Sequence, residues 1–338
     1  MTVNRRDLLK GGVTLTLASQ ASLQSIVDAG AQAAWPNRNI TVIVPFPPGG
    51  QADLAARPIA AALEKILGKS VVVDNRAAGA GGSLGNATAA RAEPDGHTLL
   101  ITLSSLAVLP ESDRLFGRPP AYEVSQFTPV ARILADPTLL AVPASAPWKT
   151  LQDLVDDAKK RPGEIPYGSS GPYGTLHVSM EMFASAAGIK LFHVPYGGGG
   201  PAVTALLGGQ VEASAQGPAA AIGQIRAGKM RALAGWGSER LKLLPDLPTF
   251  KELGYQDVEF YIWSGVFAPA ATPAPIVSRL RESVKAAATS EDFRNAMEKV
   301  STPVHYLDAP EFAKYWERDA KRLSAAVEKI GKVEEEKK

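Results

Sequence analysis

The sequence predicts an α/β protein of two domains, with helices packed on sheets. Three observations carry that prediction. Short β-branched runs alternate with segments of helical periodicity. Glycine- and proline-rich turns stand at the junctions between them. At 338 residues the chain also exceeds what one hydrophobic core usually organises.

Ile40 to Val44 has the β-branched density of a buried strand, and Pro45, Pro47 and Pro48 end it because none carries an N–H for a ladder. Gly49-Gly50 leads into a helix that Asp53 can cap, with Ile59, Leu63, Ile66 and Leu67 on one face. Val71 to Val73 reads as a second strand, Asp74 to Gly82 as a glycine-rich turn, and Ser83 to Ala92 as an alanine-rich helix. Thr98 to Leu103 is a third strand ending in Ser104-Ser105, and Phe127 to Val142 is strand broken by prolines. In the second block Thr150 can cap a helix bearing Leu151, Leu154, Val155 and Ala158, which Pro162-Gly163 stops. Ile165 to Tyr167 is followed by a turn and a helix carrying Leu176, Met180, Phe183 and Ala187, closed by Gly188. Strands are expected at Leu191 to Pro195, Val211 to Ala215 and Met230 to Ala234, with helices after Pro201 and around Ala219 to Ala227. Pro248 to Leu253 reads as a helical turn or two, and Glu259 to Ala268 as a strand crossing between the blocks. Helices follow over Ala274 to Thr289, Glu291 to Lys299 and Pro310 to Lys329. Phe312, Tyr315, Trp316 and Leu323 of the last one are spaced for core packing.

Bulk properties exclude several classes of function. Hydrophobic and charged contents of 45% and 21% are those of a globular protein. A net charge of +2 leaves no basic surplus for nucleic acid. With no cysteine there can be no disulfide, thiolate metal site or cysteine nucleophile. His97, His177, His193 and His305 show no metal-ligand spacing, and no cofactor is expected. At the N-terminus Arg5-Arg6 opens a twin-arginine pattern, a weakly apolar stretch follows to about Val27, and small-residue sites end at Ala31 and Ala33. The order of basic, apolar and small residues reads as an export signal over residues 1–33, cut near Ala33, and places the mature chain in the periplasm.

Four glycine-rich turns stand where strands meet helices, at 45–53, 77–83, 168–175 and 195–201. The first, third and fourth hold no Lys, Arg, Asp or Glu apart from Asp53. Attraction for an anion must then come from backbone N–H groups, from the hydroxyls of Ser169, Ser170 and Thr175, and from helix N-termini worth about 0.3–2 kcal/mol each. Two opposed termini can hold a carboxylate at micromolar strength without a salt bridge. Each turn taken singly is equally explained as a tight connection. His177 is a general base or ligand contact on one reading and a capping or wall residue on the other. Gly79 to Gly85 only mimics a dinucleotide-binding spacing, and Gly168-Ser-Ser-Gly171 is one residue short of a nucleophile elbow. No nucleophile–base pair is visible, so no enzyme is expected.

Eight stretches occur in the order found in one family: Val44-Pro-Phe-Pro-Pro-Gly-Gly-Gln-Ala-Asp53, Asn75-Arg-Ala-Ala-Gly-Ala-Gly-Gly82, Pro94-Asp-Gly-His-Thr-Leu-Leu100, Tyr167-Gly-Ser-Ser-Gly171, Val194-Pro-Tyr196, Leu207-Gly-Gly-Gln-Val211, Leu247-Pro-Thr-Phe250 and Phe267-Ala-Pro-Ala-Ala-Thr-Pro273. The chain thus resembles the Bug receptors, the TctC-like extracytoplasmic solute-binding proteins of tripartite tricarboxylate transporters. The resemblance implies a two-domain Venus-flytrap fold of the type II periplasmic binding proteins, each domain a mixed sheet flanked by helices. It divides the chain into 37–141 plus 264–338, and 142–263, with a cleft between them. It implies a small organic acid as ligand, membrane transporter subunits as partners, and a monomer. Carried onto this chain, the contacts fall on Phe46, Pro48, Gly49, Gly50, Gln51 and Asp53, on Ala80, Gly81, Ser104 and Ser105, and across the cleft on Ser169, Ser170, Gly171, Tyr173, Thr175, His177, Tyr196, Gly197, Gly198 and Glu212. Gly197 stands where the family often has Lys, and Glu212 where it commonly has Asp. Tyr173 is expected to narrow or stack within the pocket, favouring an aromatic or less charged acid. The alternatives to uptake are a sensor feeding a membrane signalling partner and, further off, an enzyme on the same scaffold with His177 and a hydroxyl as its machinery.

Overall fold

A computed structural model describes residues 35–333. The twin-arginine segment, the cleavage site near Ala33 and the charged tail lie outside the described residues. Two sheets organise the rest. The first contains β1 (Ile40–Val44), β2 (Val71–Asn75), β3 (Thr98–Leu103), β4 (Phe127–Pro137), β10 (Tyr261–Pro269) and β11 (Val304–Asp308) in the order β11-β4-β10-β3-β1-β2. The second contains β5 (Leu139–Pro143), β6 (Pro166–Ser169), β7 (Phe192–Pro195), β8 (Ala213–Gln216) and β9 (Met230–Gly235) in the order β7-β6-β8-β5-β9. Both are mixed. β1 runs parallel to β2 and β3, and β6 to β7 and β8, while β10 and β5 enter antiparallel.

The chain passes between sheets twice. Leu139 to Ala141 lie in the second sheet and Tyr261 to Trp263 in the first, so the sheets change at Thr138 and again before Tyr261, rather than after 141 and 263. The two passages are bonded to each other. Trp236 N donates to Thr138 O at 2.8 Å, Phe260 N donates to Trp236 O at 2.9 Å, and Thr138 Oγ1 donates to Phe260 O at 3.4 Å.

Parallel strands need crossovers, and helices supply them. In the first lobe these are α1 (Gln51–Leu67), α2 (Ser83–Ala90) and α3 (Ser105–Leu115). The second lobe has α4 (Leu151–Lys160), α5 (Thr175–Ala187), α6 (Gly199–Leu207) and α7 (Pro218–Arg226). After β10 come α8 (Ala274–Ala288), α9 (Glu291–Lys299) and α10 (Ala309–Ile330). Thr150 caps α4 as expected, its Oγ1 accepting from Asp153 N at 3.2 Å while Asp153 reaches back to the Thr150 N–H. Phe312, Trp316 and Leu323 bury one face of α10 against the first sheet, where Trp263 and Phe267 meet them edge-on or tilted. Three features depart from the sequence reading. α3 and β11 were not expected, and 249–254 is a series of hydrogen-bonded turns without a regular helix.

Candidate functional site

The β1–α1 turn is held from behind by Asp53. The sequence reading made Asp53 the cap of α1, but the helix starts directly after Gly50, so Asp53 stands in its first turn. Its carboxylate, almost fully buried, accepts from Gly49 N at 2.9 Å, from Arg57 Nε at 2.9 Å and from Asn75 Nδ2 at 2.9 Å. Burial alone raises its pKa; the hydrogen bonds from Arg57, Gly49 and Asn75 outweigh that and hold the carboxyl below its ordinary value. Asn75 also donates to Phe46 O at 3.1 Å. Asp53 therefore fixes the shape of the turn and does not face the cleft.

The β6–α5 turn has a comparable backing. His193 Nε2 lies 2.6 Å from Ser169 Oγ, which also accepts from Gly171 N at 3.1 Å. His177 Nδ1 accepts from Tyr173 N at 2.9 Å, and its ring lies 4.2 Å from that of His193, with Tyr167 stacked on both. Tyr167 in turn donates to Glu181 at 2.5 Å. Burial pushes His193 down to about 4, and burial with the nearby His193 pushes His177 well below its ordinary value. Ser169 and His193 are a serine–histidine pair that the spacing in sequence did not reveal. Ser169 is fully buried under the turn, so the pair acts as a strut that sets the positions of Ser170 and Gly171.

Between these turns lies a cavity of about 40 Å³. Phe46, Pro47, Pro48, Gly50, Gln51, Leu103 and Ile262 line it from the first lobe. Ser170, Thr175, Leu176, Gly199, Gly200, Gln216, Gly217, Ala219 and Ala220 line it from the second. No charged side chain is among them. The N-termini of α1, α5, α6 and α7 all open onto this space; each has glycine at its N-cap, and Ser170 Oγ accepts from Leu176 N in the first turn of α5 at 3.5 Å. Their free N–H groups and dipoles favour negative charge there.

Around the cavity the two lobes meet backbone to backbone. A Cβ on Gly171, whose φ is +103°, falls 3.3 Å from Gly81 N, and one on Gly81, at φ +58°, falls 3.4 Å from Gly174 Cα. A Cβ on Gly198 lies 3.0 Å from Pro47 Cδ, and one on Gly217 only 2.7 Å from Gln51 Oε1. Glycine is thus required at 171 and 81 by conformation and by proximity together. Ala80 lies against Gly171, while Ser105 Oγ supports the Gly81 carbonyl at 3.2 Å. Ser104 is buried with no partner for Oγ. The Tyr196 ring packs on Gly168, and Gly197 has open space around it.

Two residues stand elsewhere. Glu212 pairs with Arg161 at 3.1 Å, at the end of β8 remote from the cavity. Tyr173 does not narrow the pocket. Its backbone, at φ 55°, turns the ring away from the cavity and onto Phe116 and His177. Its hydroxyl donates to Gly331 O at 2.8 Å and accepts from Val333 N at 3.0 Å, joining the second lobe to the segment after α10. Among the lining residues, the sequence reading did not name Pro47, Ala52, Leu103, Leu176, Gly199, Gly200, Gln216, Gly217, Ala219, Ala220 or Ile262 as contacts. Gly217-Pro218 follows a strand and opens a helix as the other four turns do, and that signal was available.

Two mixed α/β lobes joined by two bonded crossings, closing on an uncharged cavity ringed by helix N-termini, define a bilobal ligand-binding protein of the periplasmic binding protein fold. Residues 55–332 match the model of the tripartite tricarboxylate transporter family receptors, TctC, and the chain belongs to that family. Among curated relatives, the UPF0065 protein of the tcbD-tcbE intergenic region of Pseudomonas sp. (strain P51) is 35% identical over 300 residues, covering 88% of this chain and 86% of the relative. Protein BugT of Bordetella pertussis is 36% identical over 257 residues, 76% of this chain and 78% of BugT. The solved structure of the periplasmic binding protein BugD superposes with a TM-score of 0.81 at 30% identity, over 88% of this chain and 99% of BugD. MatC from Rhodopseudomonas palustris, solved with bound malate, gives 0.79 at 31% identity, over 86% of this chain and 99% of MatC. A further R. palustris protein, Rpa4515 with adipate, gives 0.81 at 32%, over 88% and 98%.

Proposed function

We propose that the protein is an extracytoplasmic receptor that captures a small carboxylate-bearing solute and delivers it to a tripartite tricarboxylate-type transporter. One observation carries the reading: four helix N-termini, each with glycine at the N-cap, converge on a cavity with no charged side chain in its wall. Such a site attracts an anion through N–H donors and aligned dipoles. Its two hydroxyl residues, Ser170 and Thr175, have no general base paired with them among the described residues, which supports capture without turnover. The malate and adipate of the two R. palustris relatives support the class of ligand. The Arg5-Arg6 pattern supports export to the periplasm, and transporter subunits in the membrane are the expected partners of a monomeric receptor. We propose lobes that hinge at Thr138 and within 236–260, with Phe46 to Gln51 on one jaw and Ser170 to Thr175 with Gly198 on the other.

A thermal-shift screen of aliphatic and aromatic mono-, di- and tricarboxylates tests the reading, because a ligand that binds only the folded state raises the melting temperature by mass action. At least one acid is expected to raise it in proportion to the logarithm of concentration, with no product formed. A flat response to every acid, or turnover by the pure protein, defeats the proposal.

A further inference from the structure

Helix N-termini present donors only, so they hold a carboxylate but have nothing to offer a ligand's own N–H or O–H. The acceptor that could receive one stands on the first-lobe side of the cavity. Asp136 lies at the end of β4, two residues before the passage at Thr138, and is fully buried. Its cross-strand partner is Ile262, and residues directly opposite share a sheet face. Ile262 lines the cavity, as does Gln51, whose Nε2 donates to Asp136 Oδ2 at 2.7 Å and to Ile262 O at 3.2 Å. Among the described residues the second carboxyl oxygen, Oδ1, has no partner. Neither has Oγ of Ser264, two residues along the same face of β10, nor Oγ of Ser104 beside the cavity-lining Leu103. Native interiors rarely leave buried oxygens unpaired. Burial pushes the Asp136 carboxyl well above the usual carboxylate range, with only the Gln51 amide opposing.

We propose that Asp136, shielded by Gln51, is the specificity residue of the cleft and selects acids that carry a hydrogen-bond donor, a hydroxyl or an ammonium group, near the carboxylate. The proposal rests on the carboxylate reading above. Gln51 stands between Asp136 and the cavity, and its other end meets Gly217 of the second lobe. Parting of the lobes removes that contact and frees the amide to swing aside, which exposes Asp136 to the ligand. A hydroxyl or ammonium donor stabilises the ionised Asp136 carboxylate that burial disfavours; a plain dicarboxylate supplies no such donor. Sites built around a buried polar group discriminate strongly against analogues lacking the matching group.

Calorimetric titration with matched acids tests this on the wild-type chain and on Asp136→Asn. One series is succinate, malate and aspartate; the other is phenylacetate, mandelate and phenylglycine. In at least one series the donor-bearing acid is expected to bind about tenfold or more tightly than the plain acid. Asp136→Asn should abolish that preference while leaving the plain acid within about threefold. The variant no longer buries a carboxyl and should melt at or above the wild-type temperature, which separates lost selectivity from lost fold. An ammonium partner is identified by preference for the amino acid with affinity rising with pH, a hydroxyl by preference for the hydroxy acid. Plain and donor-bearing acids binding equally, or Asp136→Asn keeping the preference, overturns the assignment and leaves the carboxylate reading intact. No binding by any acid of these series or of the carboxylate screen overturns both.

Discussion

Asp53 shows how one carboxylate can serve a binding turn without touching its ligand. It collects a turn N–H, the Arg57 guanidinium and the Asn75 amide, and the side chain is 3% exposed while Arg57 is 54% exposed. Exposed charges contribute little, so the buried hydrogen bonds carry the value of this group. Asp53→Ala should cost about 1–3 kcal/mol in denaturant unfolding and weaken ligand binding through a loosened 45–50 turn. Because its folded pKa lies below the ordinary 3.8, the stabilisation is complete above that pH and is lost as pH falls through the folded value. His177 and His193 titrate with the same direction of slope for a different reason. Burial keeps both neutral, His193 down to about 4, whereas the unfolded chain protonates near 6.5. Stability is therefore full above pH 6.5 and falls as pH drops from 6.5 towards 4, and His193→Gln should flatten the thermal-melting profile across that window.

At the scale of elements, the Tyr173 tie is the contact most open to dissection. The β6–α5 turn supplies Ser170 and Thr175 to the cavity, and Tyr173 fastens the same turn to Gly331 and Val333 beyond α10. Tyr173→Phe removes both hydrogen bonds and keeps the ring on Phe116; a loss of about 1–2 kcal/mol is expected. Ending the chain after Ile330 should cost a similar amount. Combining the two should add little, since contacting residues couple in a double-mutant cycle. This tie also marks where sequence reasoning ran out. Local chemistry was legible: the β-branched run of β1, the Thr150 cap and the Gly188 stop of α5 each announced themselves. α3 was hidden by Pro110 and Glu111 inside it, and β11 by its half-buried, mixed residues. The direction of Tyr173 depends on a left-handed backbone and on a partner 158 residues away, neither of which pattern reading can supply. Asp136 was invisible for the same reason, being an acid before a proline in a strand until Gln51 and Ile262 surround it.

For the molecule as a whole, the two crossings are bonded to each other where the hinge is proposed, and the lobes approach until glycine backbones touch. A cavity of about 40 Å³ between lobes whose backbones meet is narrow for a dicarboxylate, so entry is expected through a more open form. Small-angle scattering should show the radius of gyration falling when a binding acid is added. Gly198→Val places side-chain atoms against the rigid Pro47 ring of the opposite lobe and should hold the lobes apart, reducing that compaction and the affinity together.

The surfaces that meet on closure are glycine, proline and alanine carbon with backbone amides, and the cavity wall holds no formal charge. Mobile electrolyte screens formal charges on facing surfaces, and here there are few to screen. The dissociation constant should therefore stay within about twofold between 0.02 M and 0.5 M sodium chloride, where a site built on surface cations would weaken severalfold. A site of this construction keeps its grip as the surrounding salinity rises and falls.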